Sequence, residues 1–528
     1  MSARTTPAGQ PAGAGPPVPL AFNFTRDVVE RRSGRAVTFV DAQGNVHPLT
    51  FPELAATAAR WVGVLREWGA VPGGRIVVAT GRTQSWHAIV LGALKAGSVV
   101  VHCGHVRSAA ELASRAIWTR ADLVVLSETA GIDAGALEEQ LAGEANLLTV
   151  SQAFPRLDRK APVTETADTQ AADQAFVLYT AGATGEPKPV MHTHAWCFAQ
   201  RQQAAAWLGA DAGDVVWSSP GAGDATTISN ALLGPWSVGA EVLSRAGDIG
   251  AEERLELIRE HGVTVLCQSP DEYRALTELP GFGSRPLPKL RQAVSVGEAL
   301  DPRVAAAFEA ACGVRIREGY GQTENAVIVA NAPGGTARPG SIGTATAGHQ
   351  VHVIDRDGRE LPVGEEGELA IRGRPPTVFA GYDRAHLQTA NAFRGQWYVT
   401  GDRGRRDPEG CFWFTGRSED RISLSGATIS PVPFERALLE HPGVTECAVV
   451  GARGGEALKA FVVRSARAGD AARLELELRY LLQRTARQLE YGREVEFLDE
   501  LPKTWEGKIR RADLRRLEAG DQAEGGTG

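Results

Sequence analysis

The chain has 528 residues, of which 43% are hydrophobic and 23% charged, enough apolar material for a large core and too much for global disorder. Lys and Arg total 56 against 63 Asp and Glu, a formal net charge of -7, so no field gathers a polyanion and no nucleic-acid partner is expected. No apolar run reaches the ~18 residues that cross a bilayer, Met1 to Leu20 lacks a signal peptide's apolar segment, and the 6 cysteines show neither CxxC nor Cys/His ligand spacing; the expectation is a cytoplasmic protein with reduced, mostly buried thiols, no membrane and no zinc site.

Residues 1–21 are rich in Ala, Gly and Pro and read as a flexible tail. Thr50 to Trp68 carries helical periodicity and is followed by the apolar run Arg75 to Gly81, the helical Ser85 to Ala96, and the strands Ser98 to His102 and Ala121 to Ser127. This alternation predicts parallel sheets covered by helices on both faces. Ser151 to Gln174, polar and rich in Thr, Asp and Pro, reads as a surface linker. Beyond Pro333 the pattern turns to short strands (Ile342-Gly-Thr, Val351 to Asp355, Gly367 to Arg372) between turns at Asp357-Gly358 and Gly364, a β-subdomain. After Gly416 come a helix (Pro433 to Leu439), strands (Thr445 to Val450, Ala460 to Val463), an amphipathic helix (Ala471 to Gln488) and a basic end from Lys503 to Arg516. The predicted fold is α/β: an N-terminal domain over 22–416, with two parallel-type α/β subdomains plus the β-subdomain, then a small mobile α+β domain over 417–518 and a disordered tail over 519–528.

The segment Tyr179-Thr-Ala-Gly-Ala-Thr-Gly-Glu-Pro-Lys188 follows the apolar Ala175 to Leu178. Small residues after a strand let successive N–H groups turn inward around an anion, and Lys188 adds a positive charge suited to polyphosphate. The spacing is not that of a Walker A loop, and alone it describes a surface turn with a solvated lysine better than a phosphate site. Four more motifs follow in order: Glu318-Gly-Tyr-Gly-Gln-Thr-Glu324, Thr400-Gly-Asp402, Gly416-Arg-Ser-Glu-Asp-Arg-Ile422 and Pro502-Lys-Thr-Trp-Glu-Gly-Lys508.

Together these motifs resemble the adenylate-forming (AMP-binding) superfamily of acyl-CoA synthetases, adenylation domains and luciferases, over about Phe22 to Arg516. Asn23 to Val28, Glu318 to Asn325, Tyr398 to Gly404 and Phe412-Trp-Phe414 look most like its medium-chain and aryl acyl-CoA synthetase branch. The resemblance implies ATP and Mg2+, with Thr180, Gly182, Thr184, Gly185 and Lys188 around the phosphates and Thr323 on the α-phosphate. Glu324 is the implied metal ligand, a hard oxygen of the kind Mg2+ prefers. Gly297, Glu298 and Ala299 lie along the adenine edge, Tyr320 is the stacking aromatic with Gly321 beside it as a nucleotide-binding residue, and Asp402 and Arg417 hold the ribose. Lys508 bridges the attacking oxyanion and the α-phosphate, where charge develops. A pivot near Glu419 withdraws Lys508 and presents the Gly426 loop for the second half-reaction.

Departures from that pattern qualify the chemistry. Ala181 and Ala183 replace two hydroxyl residues of the phosphate loop, so weaker ATP binding is expected. After Gly426 the branch has an aromatic and an arginine turned toward CoA; this chain has Ala427 and Thr428, which puts CoA as acceptor in doubt. In the acid pocket, Trp217 to Thr226 is altered and Asp224 falls about where the branch has a tryptophan; it either recognises an amino, ammonium or hydroxyl group or hydrogen-bonds its own loop. His192 and His194 are placed at a helix start, one of them as a pocket candidate. The expected function is an ATP-dependent ligase for a small acid, first as an acyl- or aryl-CoA ligase. The alternatives are a CoA-independent enzyme passing its adenylate to a carrier protein or an amine, or activating nitrite for an arylamine in natural-product chemistry, and, from another class, a non-catalytic ATP-binding regulator.

Overall fold

The computed structural model describes residues 16–181, 186–219, 225–335, 338, 340–424, 427–452, 457–466, 468–485, 491–504 and 507–519. They fall into two compact units. The first takes in the chain to Thr180, Lys188–Gln350 and Gly373–Asn391; the second takes in Val351–Arg372 and Ala392 onward. Of the short strands that the sequence places in a β-subdomain, those over Val351–Ile354 and Glu366–Arg372 thus group with the C-terminal residues, whereas the strand Gly343–Ala345 stays in the first unit.

In the first unit a seven-stranded sheet runs in the order Gly381–Tyr382, Pro189–Thr193, Gln174–Tyr179, Val99–His102, Arg75–Ala79, Leu123–Leu126, Asn146–Thr149. Its last five strands are parallel, and they read as unbroken apolar runs because both faces are covered. The helix Trp86–Lys95 is buried at every residue. Its one charge, the Lys95 ammonium, meets Glu30 at 2.6 Å. Helix Phe51–Glu67 begins where the periodicity placed it, fixed by a reciprocal capping box between Thr50 and Glu53.

A second sheet of this unit aligns Ile316–Gln322, Gln292–Val296, Val265–Gln268, Val215–Ser218, Glu241–Arg245 and Arg35–Val40 in parallel. On one face Trp217, Leu266 and Ala293 join a core with Leu255, Ile258 and Phe308. On the other, Val216, Cys267, Val294 and Val296 pack with Trp207 and Ala240. The carboxyl ends of these strands lead into the sequence motifs, the position where open α/β sheets bind ligands.

The second unit holds the antiparallel strands Val351–Ile354, Glu366–Arg372, Trp397–Arg406 and Cys411–Arg417. It also holds a three-stranded sheet of Val444–Gly451, Ala457–Arg464 and Gly492–Leu498, packed with helices Val432–Leu439 and Ala471–Thr485.

Three expectations change. The segment 151–174 is not a plain linker: Thr149 and Gln152 cap a helix over Val150–Leu157, and buried Thr169 donates to the Phe22 carbonyl at 2.7 Å. Leu20 and Ala21 are tied to Ala171 and Gln170, so the described end of the expected N-terminal tail is pinned to the fold. His192 lies within the strand Pro189–Thr193, opposite Phe176, because alternate residues there point inward; the helix begins at His194. None of the 6 cysteines forms a disulfide, and Cys103, Cys197, Cys267 and Cys447 are buried. No helix among the described residues is long and apolar enough to cross a membrane.

Candidate active site

The motif Glu318 to Glu324 forms a parallel strand that turns back antiparallel into Ala326–Ala330. A Cβ on Gly321 would lie 1.8 Å from the Ala326 carbonyl oxygen, and one on Gly319 would lie 2.5 Å from the Trp207 ring; both glycines are required by close approach. The turn is closed by Asn325, whose Oδ1 accepts from Gln322 N at 2.9 Å and whose Nδ2 donates to Gln322 Oε1 at 3.2 Å. Ala326 completes it at φ +58°, a left-handed conformation that costs an alanine about 1 kcal/mol.

Two side chains brace the catalytic candidates at the tip. His192 Nε2 donates to the Thr323 carbonyl at 2.8 Å, its ring stacked on Trp196 with centroids 4.3 Å apart. Burial pushes this imidazole down to about 3, so at neutral pH it is an uncharged strut fully enclosed behind Thr323. Tyr382 donates its hydroxyl to Glu324 Oε1 at 2.8 Å, and the Lys188 ammonium sits 5.5 Å from the centre of the same ring. Phe379 N donates to the Glu324 carbonyl at 2.7 Å. Tyr382, which the sequence did not single out, therefore links the phosphate-loop lysine to the metal-ligand candidate; its only signal is its place in the short strand that pairs with Pro189–Thr193.

Thr180 and Lys188 exchange two bonds across the phosphate loop, Thr180 N to the Lys188 carbonyl and Lys188 N to Thr180 Oγ1, both 3.0 Å. Gly182, Thr184 and Gly185 lie outside the described residues, as do Asp224 and Gly426. Gly297, Glu298 and Ala299 follow the parallel strand Gln292–Val296 and are exposed at its carboxyl end. Trp217 is buried: period-two alternation turns it into the core with Leu243 and Leu266, 5.7 Å below the Arg254 guanidinium. Its neighbour Ser218 faces the opposite side.

The second unit carries the remaining candidates. Asp402 and Arg417 are direct cross-strand partners, with Nε 3.8 Å from Oδ1. Asp402 is buried, and its N–H donates to Thr400 Oγ1 at 3.1 Å. Glu419 Oε1 stands 3.5 Å from Arg417 Nη1. Lys508 sits on a tight turn: Thr504 N donates to the Lys508 carbonyl at 2.8 Å, Lys508 N to Thr504 Oγ1 at 3.2 Å, and Lys503 bridges to Ile509. The turn fixes the backbone that carries the lysine.

Among the described residues no three or more His, Cys, Asp or Glu cluster as a metal cage. One carboxylate, oriented by a tyrosine, is the donor set of a hard divalent cation held mainly by phosphate oxygens, so the residues fit Mg2+ delivered with ATP.

Residues 25–383 match the model of the AMP-binding enzyme family, and residues 434–508 match that of its C-terminal domain. The chain is 34% identical over 518 residues to YtcI of Bacillus subtilis, an uncharacterized acyl-CoA ligase, covering 95% of this chain and 97% of the relative. A benzoate CoA ligase from Burkholderia xenovorans superposes with TM-score 0.82 at 30% identity, over 94% of this chain and 100% of the other. The anthranilate CoA ligase AuaEII, solved with anthranoyl-AMP, superposes with TM-score 0.85 at 26% identity, over 95% and 98%.

Proposed function

The chain belongs to the AMP-binding enzyme family and is an ATP-dependent, AMP-forming ligase; on that premise we propose that it activates a small carboxylic acid as its adenylate and passes the acyl group to CoA. The observation that carries the reading is the joint bracing of Thr323 by His192 and of Glu324 by Tyr382, within reach of the lysine that closes the phosphate loop. Fixed donors aimed where charge develops are the largest single source of catalysis. A carboxylate oxygen of the acid attacks the α-phosphorus of ATP, the α–β bond breaks, and pyrophosphate leaves. Lys188 and the loop N–H groups hold the departing phosphates, the Thr323 hydroxyl donates to the α-phosphate, and Asp402 with Arg417 grips the ribose hydroxyls. When bound, Mg2+ at Glu324 supplies charge neutralisation along the phosphates. Lys508 places its ammonium between the attacking oxygen and the α-phosphate. In the second half-reaction Lys508 withdraws, the small domain pivoting at Glu419, and the acceptor displaces AMP.

A second reading replaces CoA with a carrier-protein thiol or an amine. It is favoured by Ala427 and Thr428, which stand where the branch has an aromatic and an arginine. The test is pyrophosphate release from MgATP over a panel of aliphatic, aryl and amino-aryl acids, nitrite with an arylamine included, with and without CoA, products identified by mass. A CoA thioester supports the first reading. Turnover indifferent to CoA supports the second, and no acid-dependent pyrophosphate with any acid overturns both.

A further inference from the structure

Two helices of the first unit each widen into a single π-turn, Ala204–Leu208 and Ser229–Leu233. Such turns are uncommon, and in helices they concentrate at functional sites. Here they meet: Trp207 Nε1 of one donates to Asn230 Oδ1 of the other at 3.4 Å, and Asn230 Nδ2 reaches Cys267 Sγ at 3.5 Å. Asn230 is 3% exposed, yet among the described residues its amide makes only these two long bonds, one of them to a weakly accepting sulfur. Beside it, Ser218 ends its strand in register with Cys267. Its hydroxyl is buried, 1% exposed, and has no hydrogen-bond partner among the described residues. A buried amide and hydroxyl left this poorly satisfied carry a desolvation penalty that a bound group would relieve.

Their location says what that group belongs to. Ser218, Cys267 and Val296 occupy the carboxyl ends of adjacent parallel strands on one face. The Trp207 ring covers Gly319 of the motif that carries Thr323 and Glu324. Resting on the adenylation reading, we infer that Asn230 and Ser218 recognise a hydroxyl or amino group on the acid, so that the substrate class is hydroxy- or amino-substituted acids and not their unsubstituted parents. An amide and a hydroxyl each donate and accept, which matches both substituents. A site built to hydrogen-bond such a group rejects the analogue lacking it more sharply than an apolar pocket rejects an added methylene.

The experiment measures binding of acyl-sulfamoyl-adenosine mimics of benzoate, butyrate and their hydroxy and amino derivatives to the full chain, to Asn230→Leu and to Ser218→Ala. ATP binding and thermal unfolding report folding, and pyrophosphate release with the matching free acids is read in parallel. The expected result is a preference of about tenfold or more for at least one substituted mimic over its parent, reduced severalfold in either variant while ATP binding persists. A preference for unsubstituted mimics, or a ratio unchanged in both variants, overturns the assignment. Mimic binding without pyrophosphate release counts against the adenylation reading and leaves the ratio to judge Asn230. Binding of no mimic overturns both.

Discussion

Both units bury ion pairs, Arg75–Asp383 and Lys95–Glu30 in the first among them, but among the described residues only the first buries histidines. In the first, histidines are held neutral in apolar surroundings: His87 lies between Trp86 and Trp236, with centroids at 4.5 and 5.2 Å, and His192 lies on Trp196. Burial takes His87 and His192 down to about 3, and His102, His194 and His349 to about 4. In the second, carboxylates are buried as ions gripped by arginines. Arg511 Nη2 holds both Glu435 oxygens at 2.8 Å, and Arg515 holds Asp420 at 2.6 Å. The difference teaches where each unit is vulnerable. A neutral imidazole is harmless until protons arrive, whereas a paired ion is harmless until its partner is removed.

Acid should break the comparison most. The folded pKa of each of these five histidines lies below the ordinary value of 6.5, so the unfolded chain binds more protons between about 6.5 and 4. Stability from this source is complete above pH 6.5 and is lost as pH falls, by up to about 1.4 kcal/mol per pH unit per histidine. Urea midpoints and hydrogen exchange should show 75–79 and 99–102 losing protection in that window before 457–464; the reverse order would dissolve the contrast. Next in size, Arg511→Ala leaves Glu435 buried and unpaired, at a cost of about 3–5 kcal/mol. A double variant with Glu435→Gln should recover much of that loss in the same denaturation assay. Lys508→Ala should reduce the rate of pyrophosphate formation by about 10²–10³-fold, with ATP binding by equilibrium dialysis unchanged. The smallest effect is expected from Tyr382→Phe, which deletes one charge-assisted bond to Glu324 worth about 1.5–3 kcal/mol. It should raise the Mg2+ concentration for half-maximal rate while leaving the KM for the acid in place.

Much of the fold was legible because parallel strands covered on both faces leave apolar runs such as Val99–His102, and Thr50 marks its helix start by chemistry local to the chain. The order of five motifs likewise fixed Thr180, Lys188, Thr323, Glu324, Asp402, Arg417 and Lys508 as the residues to watch. What the chain concealed is contact across distance. Tyr382 reaches Glu324 from 58 residues away, and His192 reaches Thr323 from 131 away; no periodicity encodes either. The π-turns were hidden for another reason: their extra residue adds no apolar signal of its own. Trp217 shows the same limit: a tryptophan beside an altered loop suggests a pocket, and only strand alternation shows its ring turned into the core, with Ser218 on the opposite face.

Gly321 carries a consequence for how this protein can change. The obstacle to a Cβ there is a backbone carbonyl oxygen at 1.8 Å, which no rotamer change can move aside. At Gly262, by contrast, the crowding atoms belong to the flexible Lys289 side chain at 2.8 Å. Selection on a library randomised at both positions should leave 321 a single letter, while 262, whose φ of +60° strains most side chains, should also admit asparagine or aspartate. Descent can vary the lining of this site, but the hairpin that carries Thr323 and Glu324 has one admissible spelling at its tightest point.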